Sequence, residues 1–67
     1  MSRTERIAAR VKEWRGRRGM SQEQLAQKAG LSRGFLSRLE VARQNPNLST
    51  LEKIAKALKV DLAKLVI

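Results

Sequence analysis

The most distinctive chemistry in this 67-residue chain comes from its lysines and arginines, 15 in total against 6 aspartates and glutamates. A guanidinium group presents a planar fork of N–H donors that matches phosphate oxygens and the O6 and N7 atoms of guanine. Histidine, cysteine and tyrosine are absent, which excludes disulfides, imidazole or thiolate metal sites and most catalytic bases and nucleophiles. We therefore expect a protein that is not an enzyme, uses no cofactor and binds a polyanion.

The formal net charge of +9 and a pI near 11.5 favour either nucleic acid or an anionic membrane surface as the partner. Trp14 and Phe35 are the only aromatic residues, too few for the stacking platforms of single-strand binders. No apolar run approaches the roughly 20 residues of a spanning helix, and the first residues lack an apolar signal core. We expect double-stranded DNA as the partner and a cytoplasmic, nucleoid-associated protein of bacterial or phage origin.

Apolar residues recur at spacings of three and four along the chain, which predicts helices and no strands in a single domain over residues 1–67. Ser2 and Glu5 predict a capping box for a first helix that ends near Gly19. Ser21 with Gln24 predicts a second helix from about 22 to 29. Ser32 is the expected cap of the third helix.

The polar stretch 43–47, which contains the only proline, predicts a loop after the third helix. Ser49 with Glu52 is the expected cap of a fourth helix, and Asp61 is the expected cap of a short fifth helix over about 61–67. The fold class is therefore predicted to be all-α, with five helices.

The second and third helices are separated only by Gly30, Leu31 and Ser32, the spacing of a helix-turn-helix motif over about 21–40. Gly30 stands where the chain must leave a helix with positive φ, and the small Ala26 stands where the two helices cross. The alternative is an ordinary helical hairpin, which the spacing and the charge disfavour.

A helical projection at 100° per residue, with Leu36 and Leu39 facing the core, identifies the exposed face of the third helix. Four residues lie on that face or its N-terminal flank and are the predicted base-contacting residues: Arg33, Gly34, Ser37 and Arg38. Each arginine can donate two hydrogen bonds to one guanine, and Gly34 can allow the helix to approach the groove closely. The alternatives are that the arginines contact phosphates or that these residues form a solvated surface. Phe35 lies at the border, where we expect packing rather than contact with a thymine methyl group.

The segments SQEQLAQKAGLSRGFLSRLE and NPNLSTLEKIAKALKV resemble the lambda-repressor-like (Cro/cI, XRE-type) helix-turn-helix transcriptional regulators. The resemblance implies a compact five-helix domain that binds operator DNA as a dimer, with the third helix in the major groove. Relatives commonly have Glu-x-Gly after that helix, whereas this chain has Glu40-Val41-Ala42. This departure affects the DNA contacts expected from the loop that follows the third helix.

Phosphate contacts are expected where backbone amides are exposed at a helix start, at Ser21 and Gln22. The resemblance assigns a phosphate contact to Gln22. It also implies an ion pair between Arg15 and Glu40 that keeps Arg15 near the phosphates. A second predicted phosphate clamp lies in the loop after the third helix, at Arg43, Gln44 and Asn45.

Four apolar residues in the last six predict a homodimer interface on the C-terminal helix: Leu62, Leu65, Val66 and Ile67. The alternative is that they only complete the core of the monomer, with dimers forming on DNA. We predict a sequence-specific regulator, a repressor or autoregulator, that binds a palindromic operator. Two other interpretations are an antitoxin or accessory subunit that binds a partner protein such as a toxin, and a basic first helix, with Trp14, that lies on anionic lipid.

Overall fold

The computed structural model describes all 67 residues and contains helices and turns but no strand. The five helices are α1 (Arg3–Arg17), α2 (Gln22–Ala29), α3 (Arg33–Glu40), α4 (Leu48–Leu58) and α5 (Ala63–Val66). This arrangement confirms the predicted all-α, five-helix fold. None of the helices, the longest of which has 15 residues, has the length and apolar character needed to cross a membrane.

Both predicted capping boxes are present. The Ser2 hydroxyl accepts from the Glu5 amide at 3.1 Å, and the Ser2 amide donates to Glu5 Oε1 at 2.9 Å. Ser21 and Gln24 form the same pair of bonds at 3.0 and 2.8 Å. These reciprocal bonds satisfy amides that a helix start leaves without partners, which is why the boundaries of α1 and α2 could be predicted from sequence.

The caps of the last two helices differ from the prediction. Asn47, not Ser49, caps α4, and its Oδ1 accepts from the Thr50 amide at 2.8 Å. A capping residue needs an extended backbone, which Asn47 has (φ −79°, ψ 173°), whereas Ser49 is already inside the helix. The Asp61 side chain does not cap α5; its backbone carbonyl instead accepts from the Lys64 amide at 2.9 Å, in a tight turn closed by main-chain bonds.

The core lies where the five helices meet, and each helix contributes at least one buried apolar side chain. Its fully enclosed members are Ile7 and Val11 of α1, Leu25 of α2, Leu36 and Leu39 of α3, Leu51, Ile54 and Leu58 of α4, and Leu65 of α5. Because α3 is held by one face only, its opposite face remains available to a partner.

Candidate nucleic-acid interface

The turn between α2 and α3 sets the position of α3. Gly30 has a left-handed backbone (φ 69°, ψ 32°), and the Leu31 amide donates to the Ala26 carbonyl at 2.8 Å. The Ser32 hydroxyl then accepts from the Phe35 amide at 3.0 Å and starts α3. Ala26 is buried, as expected for a small residue between crossing helices. These local bonds fix the angle at which α3 leaves the body of the domain.

The two faces of α3 differ sharply in burial. Leu36 and Leu39 are 0% and 1% exposed and join the core, together with the buried Glu40. The four predicted base-contacting residues are all exposed: Arg33, Gly34, Ser37 and Arg38. Phe35 is half-buried and packs against the core, in agreement with the expected packing role. The exposed face therefore carries two cations, a hydroxyl and a glycine, with no bulky apolar side chain between them.

Arg38 has a defined position on this face although it is exposed. Its Nε donates to Gln44 Oε1 at 3.3 Å. A Cβ atom added to Gly34, one turn earlier, would stand 3.4 Å from Arg38 Nη1. The Arg38 side chain therefore extends back along α3 over Gly34, the direction in which side chains of a helix generally lean.

Gln44 reaches Arg38 because the chain reverses immediately after α3. Ala42 adopts a left-handed conformation (φ 61°), and the Arg43 amide donates to the Arg38 carbonyl at 2.8 Å, the bond of a Schellman motif. Ala42 thus takes the conformation that a glycine would favour here, at a steric cost. The loop predicted to hold phosphate leaves Arg43 and Asn45 exposed and Gln44 half-buried.

Glu40 connects three helices. Arg15 of α1 donates to it twice, from Nε to Oε2 at 2.7 Å and from Nη2 to Oε1 at 3.0 Å, while Arg15 Nη1 donates to the Met20 carbonyl at 2.9 Å. Gln22 Nε2 of α2 donates to Glu40 Oε1 at 3.0 Å. The ion pair expected from the family resemblance is confirmed, and the bond from Gln22 is an additional contact that the sequence did not predict.

The two partners of this ion pair are enclosed to different degrees: the Glu40 side chain is 2% exposed and the Arg15 side chain 18%. Hydrogen bonding to Glu40 raises the pKa of Arg15 above its ordinary value, although burial acts in the opposite direction. Three of the five N–H bonds of Arg15 are committed within the chain. Its main role in the structure is therefore to join α1 to α3, with two N–H bonds left for a phosphate.

The start of α2 offers donors to an anion. The backbone amides of Gln22 and Glu23 have no partner within the chain, as is usual for the first residues of a helix. Ser21 is exposed, and Gln22 is half-buried with its amide group oriented by Glu40. Exposed amides and the positive end of the helix dipole favour a phosphate at this point.

Sequence reasoning missed the role of Arg18, which lies across the end of α4. Its Nε donates to the Leu58 carbonyl at 2.8 Å and its Nη2 to the Lys59 carbonyl at 3.2 Å. The guanidinium groups of Arg17 and Arg18 lie 4.9 and 5.3 Å from the centre of the Trp14 ring, which also packs on the core. The last carbonyls of a helix commonly accept hydrogen bonds from basic side chains, so a donor near the end of α4 could have been expected. No local sequence pattern, however, shows that this donor comes from α1.

Trp14 is consequently enclosed by its own domain rather than presented on a surface. It is half-buried between the arginines and the core. A helix that lies on lipid would need its apolar side chains free, and Ile7 and Val11 of α1 are fully buried as well. The structure therefore gives no support to the lipid-surface interpretation of α1.

The C-terminal apolar residues divide into two groups. Leu65 is 0% exposed and belongs to the core, so the prediction that it contacts a second copy is wrong: its own domain already covers it completely. Leu62 and Val66 are half-buried against the core, and Ile67 is 72% exposed. Two further exposed apolar residues, missed from sequence, are Val41 at 63% and Leu48 at 61%.

The family model named HTH_3, described as helix-turn-helix, matches residues 11–65. An immunity repressor protein of Bacillus phage phi105 is 45% identical over 60 residues, which are 90% of this chain and 42% of that protein. The control protein C.SmaI of Serratia marcescens is 41% identical over 59 residues, 88% of this chain and 70% of that protein. This chain thus spans less than half of the phage repressor and about two thirds of the control protein.

Among solved structures, the restriction-modification controller protein C.AhdI from Aeromonas hydrophila superposes with a TM-score of 0.90 at 32% identity. The match covers 92% of this chain and 94% of that one. These relatives are named as regulators rather than enzymes, which confirms the prediction that the chain is not an enzyme.

Proposed function

The chain belongs to the HTH_3 helix-turn-helix family, and from this membership and the geometry of α3 we propose that it is a sequence-specific, double-stranded DNA-binding transcriptional regulator. The observation that supports this most directly is the division of α3 into a buried face and an exposed face bearing Arg33 and Arg38. A helix of this kind, held at its back by a capped turn, fits the major groove with its N-terminal part against the base edges.

The proposed base contacts are those of Arg33, Gly34, Ser37 and Arg38. Each arginine can donate two hydrogen bonds to one guanine, and the absence of a side chain at position 34 lets α3 approach the floor of the groove. We assign the positioning of the domain on DNA to phosphate contacts. These come from Ser21 and Gln22 at the start of α2, from Arg43 and Asn45 in the loop after α3, and from Arg15. The net charge of +9 supplies the attraction for the DNA backbone.

We further propose a palindromic operator bound by a homodimer. The Cα atoms span 27 × 23 × 21 Å, and side chains add roughly 3 Å on each side. The longest dimension of the domain is therefore close to one turn of DNA, roughly 34 Å, so two copies bound one turn apart would be neighbours. For the contact between copies we propose the part of the C-terminal segment that its own domain does not fully cover, namely the half-buried Leu62 and Val66 and the exposed Ile67.

Repression is the proposed regulatory outcome, because a domain in an operator that overlaps a promoter excludes polymerase without further machinery. The relative from phage phi105 is named as a repressor, which supports this choice. The names of the relatives give no support to a toxin or other protein partner, and no contact in the structure favours one. Regulation is therefore expected to follow protein concentration and dimerisation.

The test begins with selection of bound sites from random duplex DNA, followed by affinity measurements on the selected operator. Arg33→Ala and Arg38→Ala should each lose preference at one base pair of every half-site, whereas Gln22→Ala should weaken binding to all sequences alike. The logarithm of the affinity should fall with the logarithm of salt concentration at about −0.9 per phosphate contact. No enriched sequence, or a flat salt response, would refute duplex recognition, and a reporter gene behind the operator would test repression.

A further inference from the structure

We propose that Gln44 is a positioning residue for Arg38, and that Gly34, Arg38 and Gln44 together determine which edge of the Arg38 guanidinium meets DNA. This inference deepens the proposed function and rests on it. It gives Gln44 a role in specificity in place of the plain phosphate contact predicted from sequence.

The first step is the hydrogen bond itself. Gln44 Oε1 accepts from Arg38 Nε at 3.3 Å, so the carbonyl side of the glutamine amide is directed at the arginine. Arg38 is exposed, and Gln44 is half-buried and therefore more restricted. An exposed arginine otherwise has several freely rotating torsions, and ordering them on binding lowers affinity. The bond to Gln44 selects part of the bound conformation in advance.

The second step concerns the edges of the guanidinium. Arginine has one hydrogen-bonding edge formed by Nε and one Nη, and a second edge formed by the two Nη atoms. Since Gln44 occupies Nε, the edge left free is the one between Nη1 and Nη2. That edge is a symmetric fork, suited to the O6 and N7 acceptors of one guanine.

The third step is the space over position 34. A Cβ on residue 34 would lie 3.4 Å from Arg38 Nη1, so the guanidinium occupies the surface that the glycine leaves open. An alanine there would be in van der Waals contact with Nη1 and would fill the space beneath the guanidinium. Gly34 therefore serves the arginine next to it as well as the approach of the helix to the groove.

The fourth step is what places Gln44 beside Arg38. The left-handed Ala42 and the bond from the Arg43 amide to the Arg38 carbonyl, at 2.8 Å, turn the chain back beside the last turn of α3. Pro46, which is buried, anchors the far side of the same loop. The position of Gln44 thus follows from backbone structure and not from a flexible surface segment.

The experiment is a double-mutant cycle of Arg38→Ala and Gln44→Ala on the selected operator and on a copy in which the base pair read by Arg38 is replaced. Loss of one hydrogen bond predicts that Gln44→Ala lowers affinity for the selected operator about 2- to 10-fold. The same substitution should have no further effect in the Arg38→Ala background or on the altered operator. Asn45→Ala, a neighbouring exposed loop residue, is the matched control and should give equal losses in both backgrounds.

Several outcomes separate this inference from the proposed function. If Arg38→Ala relaxes one base pair but Gln44→Ala weakens all sequences equally in both backgrounds, the positioning role is refuted and regulation by DNA binding stands. If Arg38→Ala changes no base preference, the positioning role and the base contact of Arg38 are refuted, whereas only the absence of any enriched sequence would refute the proposed function. Gln44→Glu keeps the acceptor and should preserve the dependence on Arg38 while its charge weakens binding to every sequence.

A measurement on the free protein needs no DNA. The Nε–H of Arg38, observed by ¹⁵N NMR, should exchange with solvent more slowly than the Nε–H of Arg33, whose side chain makes no hydrogen bond in the structure. Gln44→Ala should remove this difference without a change in melting temperature. Equal exchange at Arg38 and Arg33 in the unsubstituted protein would overturn the proposal.

Discussion

Arg15 and Glu40 are separated by 25 positions in the chain but share two hydrogen bonds, at 2.7 and 3.0 Å, between α1 and the end of α3. The Glu40 carboxylate, at 2% exposure, also accepts from Gln22 and so links α1, α2 and α3. The pair, with the bond from Gln22, therefore fixes the orientation of α3 relative to α1 and the start of α2.

Removal of the negative charge of Glu40 should destabilise the domain. Glu40→Gln leaves the Arg15 guanidinium half-buried without its counter-charge, and we expect a loss of about 2 to 3 kcal/mol in the free energy of unfolding, somewhat below the value for fully buried pairs. Urea denaturation followed by circular dichroism measures it. Glu13→Gln is the control, because the Glu13–Arg17 pair has side chains 50% and 59% exposed and should change stability by less than about 0.5 kcal/mol. Equal effects of the two substitutions would contradict the assignment.

Ala42→Gly should stabilise the protein. Ala42 has φ 61°, a conformation that costs a residue with a Cβ roughly 1 kcal/mol or more and that glycine adopts freely. We expect a gain of about 0.5 to 1 kcal/mol, which corresponds to a rise in Tm of roughly 2 to 8 °C for a domain of this size.

The control is a second alanine-to-glycine substitution, Ala9→Gly, for which the expected change in stability has the opposite sign. Ala9 is exposed inside α1, where glycine should lower stability by about 0.5 to 1 kcal/mol. Lys59→Gly should behave like Ala42→Gly, since Lys59 also has positive φ, at 58°. A lower Tm for Ala42→Gly would mean that the turn after α3 is not left-handed in solution.

Substitutions in the C-terminal segment should separate folding from self-association. Leu65→Ala removes a fully buried side chain and should destabilise the domain by about 2 to 4 kcal/mol, enough to unfold much of a small domain. Ile67→Asp changes an exposed residue and should leave the Tm nearly unchanged while it shifts the protein from dimer to monomer. Sedimentation at micromolar concentration, with circular dichroism alongside, distinguishes these effects. Unsubstituted protein that sediments as a monomer at high concentration would contradict the proposed interface.

The first capping box should make stability depend on acid pH. The hydrogen bonds from the Ser2 amide and hydroxyl lower the pKa of Glu5, so the carboxylate is favoured in the folded state. Its contribution is present above the pKa of an unfolded glutamate, about 4.3, and is lost as pH falls through the lower folded value. Glu5→Gln should therefore show a smaller fall in Tm between about pH 5 and 3.

Glutamine is a suitable replacement because Gln24 occupies the same place in the second capping box without a charge. Glu52→Gln is the control, since the Glu52 side chain is exposed and makes no hydrogen bond or ion pair. The role of the capping box in acid stability would be disproved if Glu5→Gln and the unsubstituted chain lost stability in parallel as pH falls.

The sequence by itself determined the helices and most of their ends. Capping boxes at Ser2 and Ser21, the cap at Ser32 and the turn at Gly30 act over three or four residues, so their geometry follows from local hydrogen bonding. The exposed face of α3 could be projected because helical spacing alone fixes which residues oppose Leu36 and Leu39. The Arg15–Glu40 pair was predicted only through the family resemblance, since no local rule joins positions that far apart.

Only the tertiary structure decided which long side chains meet. The packing of α1 on α4 brings Arg18 to the carbonyls of Leu58 and Lys59, and the packing of α1 on α5 encloses Leu65. The chain reversal after α3 places Gln44 beside Arg38. This reversal depends on a left-handed backbone at Ala42, which could not be predicted because alanine rarely adopts that conformation. Hydrophobic burial is non-directional, so an apolar pattern states that a face is covered but not by which neighbour.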